Sequence, residues 1–206
     1  VNKLDTSKIT NITFYERPLT AFITILQTSG KNMPKSLPLI SHQCRNFNKS
    51  SVACFLDIAK TYPGLEKKLS YCDHHLSHTL TSLAYSPNQN EICSVVVDGF
   101  GDRSTTSISL VHDHHNIVEL WSCPYPFSIG LFYSAITDFL GFQVNEGEYK
   151  VMGLSSFGNE NSEIAIKVSK LIRWDNDKKK IIQDMSFFNY HVDPEISFSQ
   201  KLVNYL

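Results

Sequence analysis

The chain lacks any C-x-x-C pair. Its five cysteines (Cys44, Cys54, Cys72, Cys93 and Cys123) are odd in number and scattered. That spacing excludes a zinc ribbon and argues against a disulfide framework; reduced, mostly buried thiols in a cytoplasmic setting fit better. An excess of either charge is also missing, because 19 Lys and Arg face 20 Asp and Glu for a formal net charge of -1. No basic stripe points to nucleic acid, and no block of like charge points to a tail. Val1 to Thr10 is polar and mixed in charge, unlike a signal peptide. The longest apolar run, near Ile129 to Phe142, is broken by Ser134, Thr137 and Asp138 and is too polar to span a membrane. There is no H-E-x-x-H, G-x-S-x-G or G-x-x-x-x-G-K-[ST], so the zincin, nucleophile-elbow and P-loop chemistries are excluded. Internal repeats and low-complexity segments are absent.

What is present is ordinary globular material. Over 206 residues, 42% are hydrophobic and 19% charged, enough for a sizeable core in roughly one or two domains. Asn11 to Tyr15 alternates and reads as a strand. Pro18 opens a helix through Gln27 that Gly30 follows. Lys31 to Phe47, with its two prolines, reads as a loop or irregular lobe. Asn48 or Ser50 caps a helix to about Lys60, ended by Tyr62-Pro63-Gly64. Lys68 to Cys72 is a short strand, and His74 to Ser86 a helix stopped by Pro87-Asn88. Ile92 to Asp98 is nearly all apolar and suits a strand buried on both faces. Ser104 to His112 and Ile117 to Cys123 return as antiparallel partners, so residues 92–123 form a meander. Ser128 to Leu140 has apolar residues at three and four and ends at Gly141. Ser162 to Arg173 is an amphipathic helix, Trp174 to Asp184 a hairpin turning at Asp175-Asn176-Asp177, and Ile196 to Leu206 a helix. The first residue is not Met and the last lies inside a helix; both ends read as cut, so the expectation is a piece of a longer protein.

Chemistry concentrates between Ser70 and Gly101. Three of the eight histidines fall within five residues, D-H-H-L-S-H. On a helix His74 and His78 stand at i, i+4, and His75 and His78 at i, i+3, so either pair can share a face. Two such imidazoles suit one metal ion, although histidines at a helix start are also common as surface groups. Asp98 ends the apolar strand beside Gly99, where α/β folds place ligands. Two His and one carboxylate with open positions suit Fe(II), with Mn(II) or Zn(II) as alternatives. Asp98-Gly99 is equally a hairpin-turn signal. The same D-G-F-G turn offers Gly99 and Gly101, whose backbone N–H groups suit a phosphate. His112, His114 and His115 lie in a polar turn and read as solvated. In E-G-E-Y-K-V-M-G-L, Glu148 and Lys150 sit at a helix start, which suits a phosphate or nucleotide or a charged surface helix.

Several motifs occur together: F-Y-E-R-P-L at 14–19, D-H-H-L-S-H at 73–78, A-Y-S-P at 84–87, D-G-F-G at 98–101, P-F-S-I-G-L-F-Y-S-A-I-T-D-F-L-G-F at 126–142 and V-N-E-G-E-Y-K-V-M-G-L at 144–154. Over residues 10–160 the chain resembles the O-carbamoyltransferase family of nodulation-factor and antibiotic-tailoring enzymes. That family is related to the tRNA threonylcarbamoyltransferases and the hydrogenase-maturation carbamoyltransferase. The resemblance implies an α/β fold of the actin-like, sugar-kinase ATPase type with a ribonuclease-H-like subdomain. It implies that residues 1–206 are part of that domain, incomplete here, and that a C-terminal adenylate-forming domain lies outside the chain. It further implies ATP and carbamoyl phosphate as substrates, a carbamoyl-adenylate held by iron or a similar metal, and transfer of the carbamoyl group to a hydroxyl of a small-molecule acceptor in the cytoplasm. By resemblance the metal ligands are His74, His78 and Asp98, which selects His74 over His75. Glu148, Lys150 and Gly153 fall where the tRNA enzymes contact nucleotide. His75, beside the pair, is the candidate catalytic base by proximity.

Two other readings stand beside this one. An actin-fold phosphotransferase would grip phosphate with D-G-F-G and need neither His74 nor His78. A non-catalytic interaction module would bind neither metal nor nucleotide. No membrane or nucleic-acid partner is expected, and apolar strand edges in an incomplete domain would favour homo-oligomers.

Overall fold

The computed structural model describes residues 6–47, 50–86, 89–113 and 115–206. The architecture is mixed α/β, as expected, with small sheets rather than one large one. β1 (Ile12–Phe14) leads into α1 (Pro18–Lys31), α2 (Leu37–Arg45) and α3 (Ser51–Thr61). β2 (Leu69–Tyr71) then pairs parallel with β1, placing Ile12 opposite Leu69 and Phe14 opposite Tyr71. Because both strands run the same way and end together, the helices that follow them start side by side. The second of these is α4 (His74–Ala84).

The meander forms as the alternation predicts. β3 (Glu91–Val97), β4 (Ser104–His112) and β5 (Asn116–Pro124) pair antiparallel in that order. The register of β4 with β5 shifts between Ser104 and Thr106 and again between Ile108 and Ser109. α5 (Ile129–Phe139) and α6 (Glu148–Ser155) follow, then α7 (Glu163–Ser169), the hairpin β6 (Ile172–Asp175) and β7 (Lys180–Gln183), and α8 (Gln200–Tyr205). Ala135, Leu171, Phe188 and Leu202 form a buried cluster, with Phe132, Ile136 and Phe139 of α5 packed against it. Each large apolar side chain buried there contributes about 1.5–3 kcal/mol. The core therefore holds α5 in place from the C-terminal side. Among the described residues no helix is long and apolar enough to cross a membrane.

Several expectations need correction. Lys31 to Phe47 is not a loop: α1 continues through Gly30 to Lys31, and α2 follows with Pro38 in its first turn. A Cβ at Gly30 would meet nothing within 4 Å, so glycine there marks an open surface rather than a stop. Proline in a first turn lacks only an N–H that would be unpaired anyway. β3 is not buried on both faces, since Val95 and Val97 are 61% and 53% exposed; only the face toward α4 is covered. The thiols are mostly not buried either: Cys123 is, but Cys44, Cys54 and Cys93 are exposed. α7 stops at Ser169, and Ile172 to Asp175 joins the hairpin. The last helix is confined to Gln200–Tyr205. Ser50 caps α3 by accepting from the Ala53 N–H at 3.2 Å. The alternative cap Asn48 and the Pro87-Asn88 stop lie outside the described residues.

α5 meets the end of β3 at a point where no side chain fits. A Cβ on Gly130 would lie 2.6 Å from the Asp98 carbonyl oxygen. Ser128, fully buried, caps α5 through the Leu131 N–H at 3.0 Å. Its hydroxyl also lies 2.9 Å from the Gly99 carbonyl, which ties the cap to the turn. Gly130→Ala is expected to cost about 1–3 kcal/mol by forcing this contact apart. Gly30→Ala, in open space, should be neutral or stabilise by up to about 1 kcal/mol. Urea unfolding midpoints compare the two, and equal midpoints would remove the argument for close approach.

Candidate metal centre

α4 begins where β2 ends because Asp73 caps it, accepting from the Leu76 N–H at 3.4 Å. That start puts His74 in the first turn and His78 one turn later on the same face. β3 ends at Val97 and presents Asp98 at its C-terminal end. His74 Nε2 lies 2.7 Å from Asp98 Oδ2. His78 Nε2 lies 3.6 Å from the same oxygen and 3.2 Å from His74 Nε2. Asp98 Oδ1 accepts from the Gly99 N–H at 2.6 Å, which sets the rotation of the carboxylate.

The donor set fits a divalent cation. Donors bound to one ion at about 2.0–2.2 Å stand roughly 3–3.5 Å apart, and the three ligand atoms here lie within 4.8 Å of one another. Imidazole with carboxylate suits Fe(II), Mn(II) or Zn(II). One supporting feature differs from the usual pattern: His74 Nδ1 is buried with no partner among the described residues, where a ligating imidazole commonly donates its other N–H.

The residue that organises the centre is Asp102, which the sequence reading did not single out. It is 3% exposed. Its Oδ2 accepts from the His74 backbone N–H at 3.0 Å, and its Oδ1 from the Arg17 backbone N–H at 2.9 Å. One carboxylate thus receives donors from the starts of both α4 and α1, where orphan N–H groups and the helix dipole favour negative charge. The available signal was a second aspartate in D-G-F-G-D, four residues after the first. Tyr15 was also missed; its ring lies 5.7 Å from that of His74.

Gly101 serves closeness rather than phosphate. A Cβ there would lie 2.7 Å from His75 Cδ2 and 2.8 Å from His74 Cδ2. Its N–H donates to the Ser104 carbonyl at 2.9 Å. With the Gly99 N–H on Asp98, both amides expected to cradle a phosphate are taken within the turn.

His75 turns away from the pair. It is 5% exposed, and its Nδ1 lies 2.8 Å from Ser107 Oγ on β4. Among the described residues its Nε2 is enclosed without a partner. Burial pushes this imidazole below its ordinary range, opposed by the Asp98 carboxylate, so the ring is neutral at neutral pH. The enclosure suits a positioning residue that seats α4 on β4 better than the base suggested by proximity.

Glu148 is committed to its own loop. Its Oε1 accepts from the Ser134 hydroxyl at 2.9 Å and from the Asn145 N–H at 3.0 Å. Partial burial raises its carboxyl, but these bonds and one from Gly147 outweigh that and hold it below its ordinary range. Lys150 lies 5.8 Å from the Tyr149 ring centre, and a Cβ on Gly153 would face open space. Among the described residues no hydrogen bond or ion pair links α6 to the histidine pair. In the second histidine cluster His112 Nδ1 lies 3.2 Å from Glu91 Oε1, and His114 lies outside the described residues.

A family model described as carbamoyltransferase N-terminus matches residues 6–204. The uncharacterized protein sll1178 of Synechocystis sp. is 30% identical over 193 residues, covering 87% of this chain and 30% of its own length. The uncharacterized protein MJ1051 of Methanocaldococcus jannaschii is 33% identical over 97 residues, covering 47% of this chain and 18% of its own length. The chain thus spans under a third of these relatives.

Removing Asp102 tests the organising role. Asp102→Ala leaves two helix-start donors without an acceptor, an expected loss of about 2–4 kcal/mol in urea unfolding. Asp102→Asn, which keeps one acceptor oxygen, should recover part of it. An unchanged midpoint for Asp102→Ala would contradict the role.

Proposed function

This chain belongs to the carbamoyltransferase N-terminus family, and we propose that it supplies the metal-binding half of an O-carbamoyltransferase active site. In this reading the chain is part of an actin-like α/β domain, and the substrates are ATP, carbamoyl phosphate and a small molecule bearing a hydroxyl. The observation that carries it is the convergence of His74, His78 and Asp98 on one point.

Fe(II), or Mn(II) or Zn(II), bound there would supply Lewis-acid polarisation of a carbonyl or phosphoryl oxygen. The chain's own residues do the rest of the positioning. Asp102 fixes the first turn of α4 and so the height of His74 against Asp98. The Gly99 amide keeps one Asp98 oxygen turned away, which leaves Oδ2 for the ion. His75 and Ser107 hold α4 down from below. The hydroxyl oxygen of the acceptor would attack the carbonyl carbon of the carbamoyl-adenylate, the bond from that carbon to the phosphate oxygen would break with AMP leaving, and the hydroxyl proton would pass to water. Glu148, Lys150 and Gly153 are proposed as nucleotide contacts by resemblance; the Glu148 carboxylate would act by shaping the loop, since its oxygens are already engaged. The phosphotransferase alternative gains no support, because the turn amides it needs are occupied.

The test is metal affinity of the chain by calorimetry with Mn(II) and Zn(II), with anaerobic Fe(II) alongside, for wild type, His78→Ala and Asp98→Asn. Wild type should bind about one ion. Each variant should lose more than the roughly 10–100-fold that removing a supporting hydrogen bond costs. Folded wild type that binds none of the three ions, or variants that bind as well as wild type, would overturn the assignment. A second readout is ATP- and carbamoyl-phosphate-dependent labelling of a polyol by the full-length protein, which His78→Ala should abolish.

A further inference from the structure

α1 carries a polar stripe. Thr20, Thr24, Gln27, Thr28 and Lys31 recur at helical spacing along one side. Together with Ile23 they wall a cavity of about 450 Å³ whose other side is Arg103, Pro124 and Tyr125. Meanwhile Leu19 and Leu26 of the same helix are 64% and 40% exposed.

The lining is cationic and rich in donors. Lys31 and Arg103 border the cavity, and no Asp or Glu does. Neither cation has an ion-pair partner among the described residues. Thr28 is 8% exposed and borders the cavity, and its carbonyl accepts from the Asn32 side-chain amide at 2.8 Å. Tyr125 also borders the cavity, its ring held edge-on by Phe100 with centres 4.8 Å apart. Burial pushes the Tyr125 phenol up to about 12, so it stays a neutral donor.

We propose that this cavity binds a phosphate-type dianion, free or carried on a small organic molecule. Two cations with neutral O–H and N–H donors, and no carboxylate to repel the ligand, complement phosphate oxygens. The volume falls in the range of small-molecule sites. The site is separate from the His74, His78 and Asp98 centre and does not rest on the carbamoyl-transfer reading. It is nonetheless connected to that centre: the Thr24 hydroxyl donates to the Asp102 carbonyl at 2.8 Å, and the Asp102 carboxylate holds His74.

Calorimetric titration with inorganic phosphate and with glycerol phosphate, at fixed ionic strength in NaCl, tests the assignment. Saturable binding near one per chain is expected, weakened at least about tenfold in Lys31→Gln/Arg103→Gln, the scale of losing charge-assisted hydrogen bonds. Lys170→Gln/Lys178→Gln, an equal charge change elsewhere, should bind as wild type. Tighter glycerol phosphate than phosphate would identify an organic phosphate as the ligand; the reverse would identify free phosphate. Absence of saturable binding, or equal weakening in both double variants, overturns the proposal. Circular dichroism checks folding. Thr28→Val, which removes only the hydroxyl, gives a second variant that should weaken binding without altering charge. Metal affinity measured on the same variants should stay unchanged, so failure here is distinguishable from failure of the metal centre.

Discussion

A single buried carboxylate, Asp102, fixes the relation between the parts that matter. Burying a charge without a cation beside it is costly unless hydrogen bonds replace its water. Here the replacement comes from backbone N–H groups of two helix starts, at Arg17 and His74. Those donors can reach one point only because β1 and β2 are parallel and end at matched positions, Phe14 opposite Tyr71. The turn after β3 delivers Asp102 to that point and Asp98 to the histidines. If the parallel pairing slipped, the two helix starts would no longer share an acceptor.

The seat of α4 is unusual in being polar. His75 contacts Ser107, and the Ser94 hydroxyl donates to Thr79 Oγ1 at 3.1 Å. Small hydroxyl residues on β3 and β4 let the helix approach closely while pairing His75 Nδ1 and Thr79 Oγ1. Directed bonds of this kind set the rotation of the helix more sharply than apolar packing does. Rotation is what decides whether His74 and His78 face Asp98 or solvent. Glycine completes the arrangement at Gly101 and Gly130, where backbone and rings pass too close for a Cβ.

Much of this was legible in order along the chain. Apolar residues at three and four after Ser128 announce α5, and alternation announces the meander. The i, i+4 spacing of His74 and His78 and the strand-end position of Asp98 already suggested a shared ion. Other features were not legible. α2 was hidden because its two flanking prolines look like loop signals when one of them actually starts a helix. The open face of β3 was hidden because an apolar run reads the same whether one side is covered or two. Glu148 looked available for a ligand until its oxygens were seen on Ser134 and Asn145.

The sequence by itself determined the local elements, the ligand types and their spacing, because caps, periodicity and turn residues act over a few positions. Spacing left His74 and His75 open as the partner of His78 and the resemblance selected His74; the tertiary structure supplies the physical reason, a contact with Ser107 that turns His75 away. It also decided that Asp102, anonymous in a glycine-rich turn, is the shared acceptor for two helices. Such a role depends on residues 85 and 28 positions away, and no local pattern encodes the meeting of chain segments that far apart.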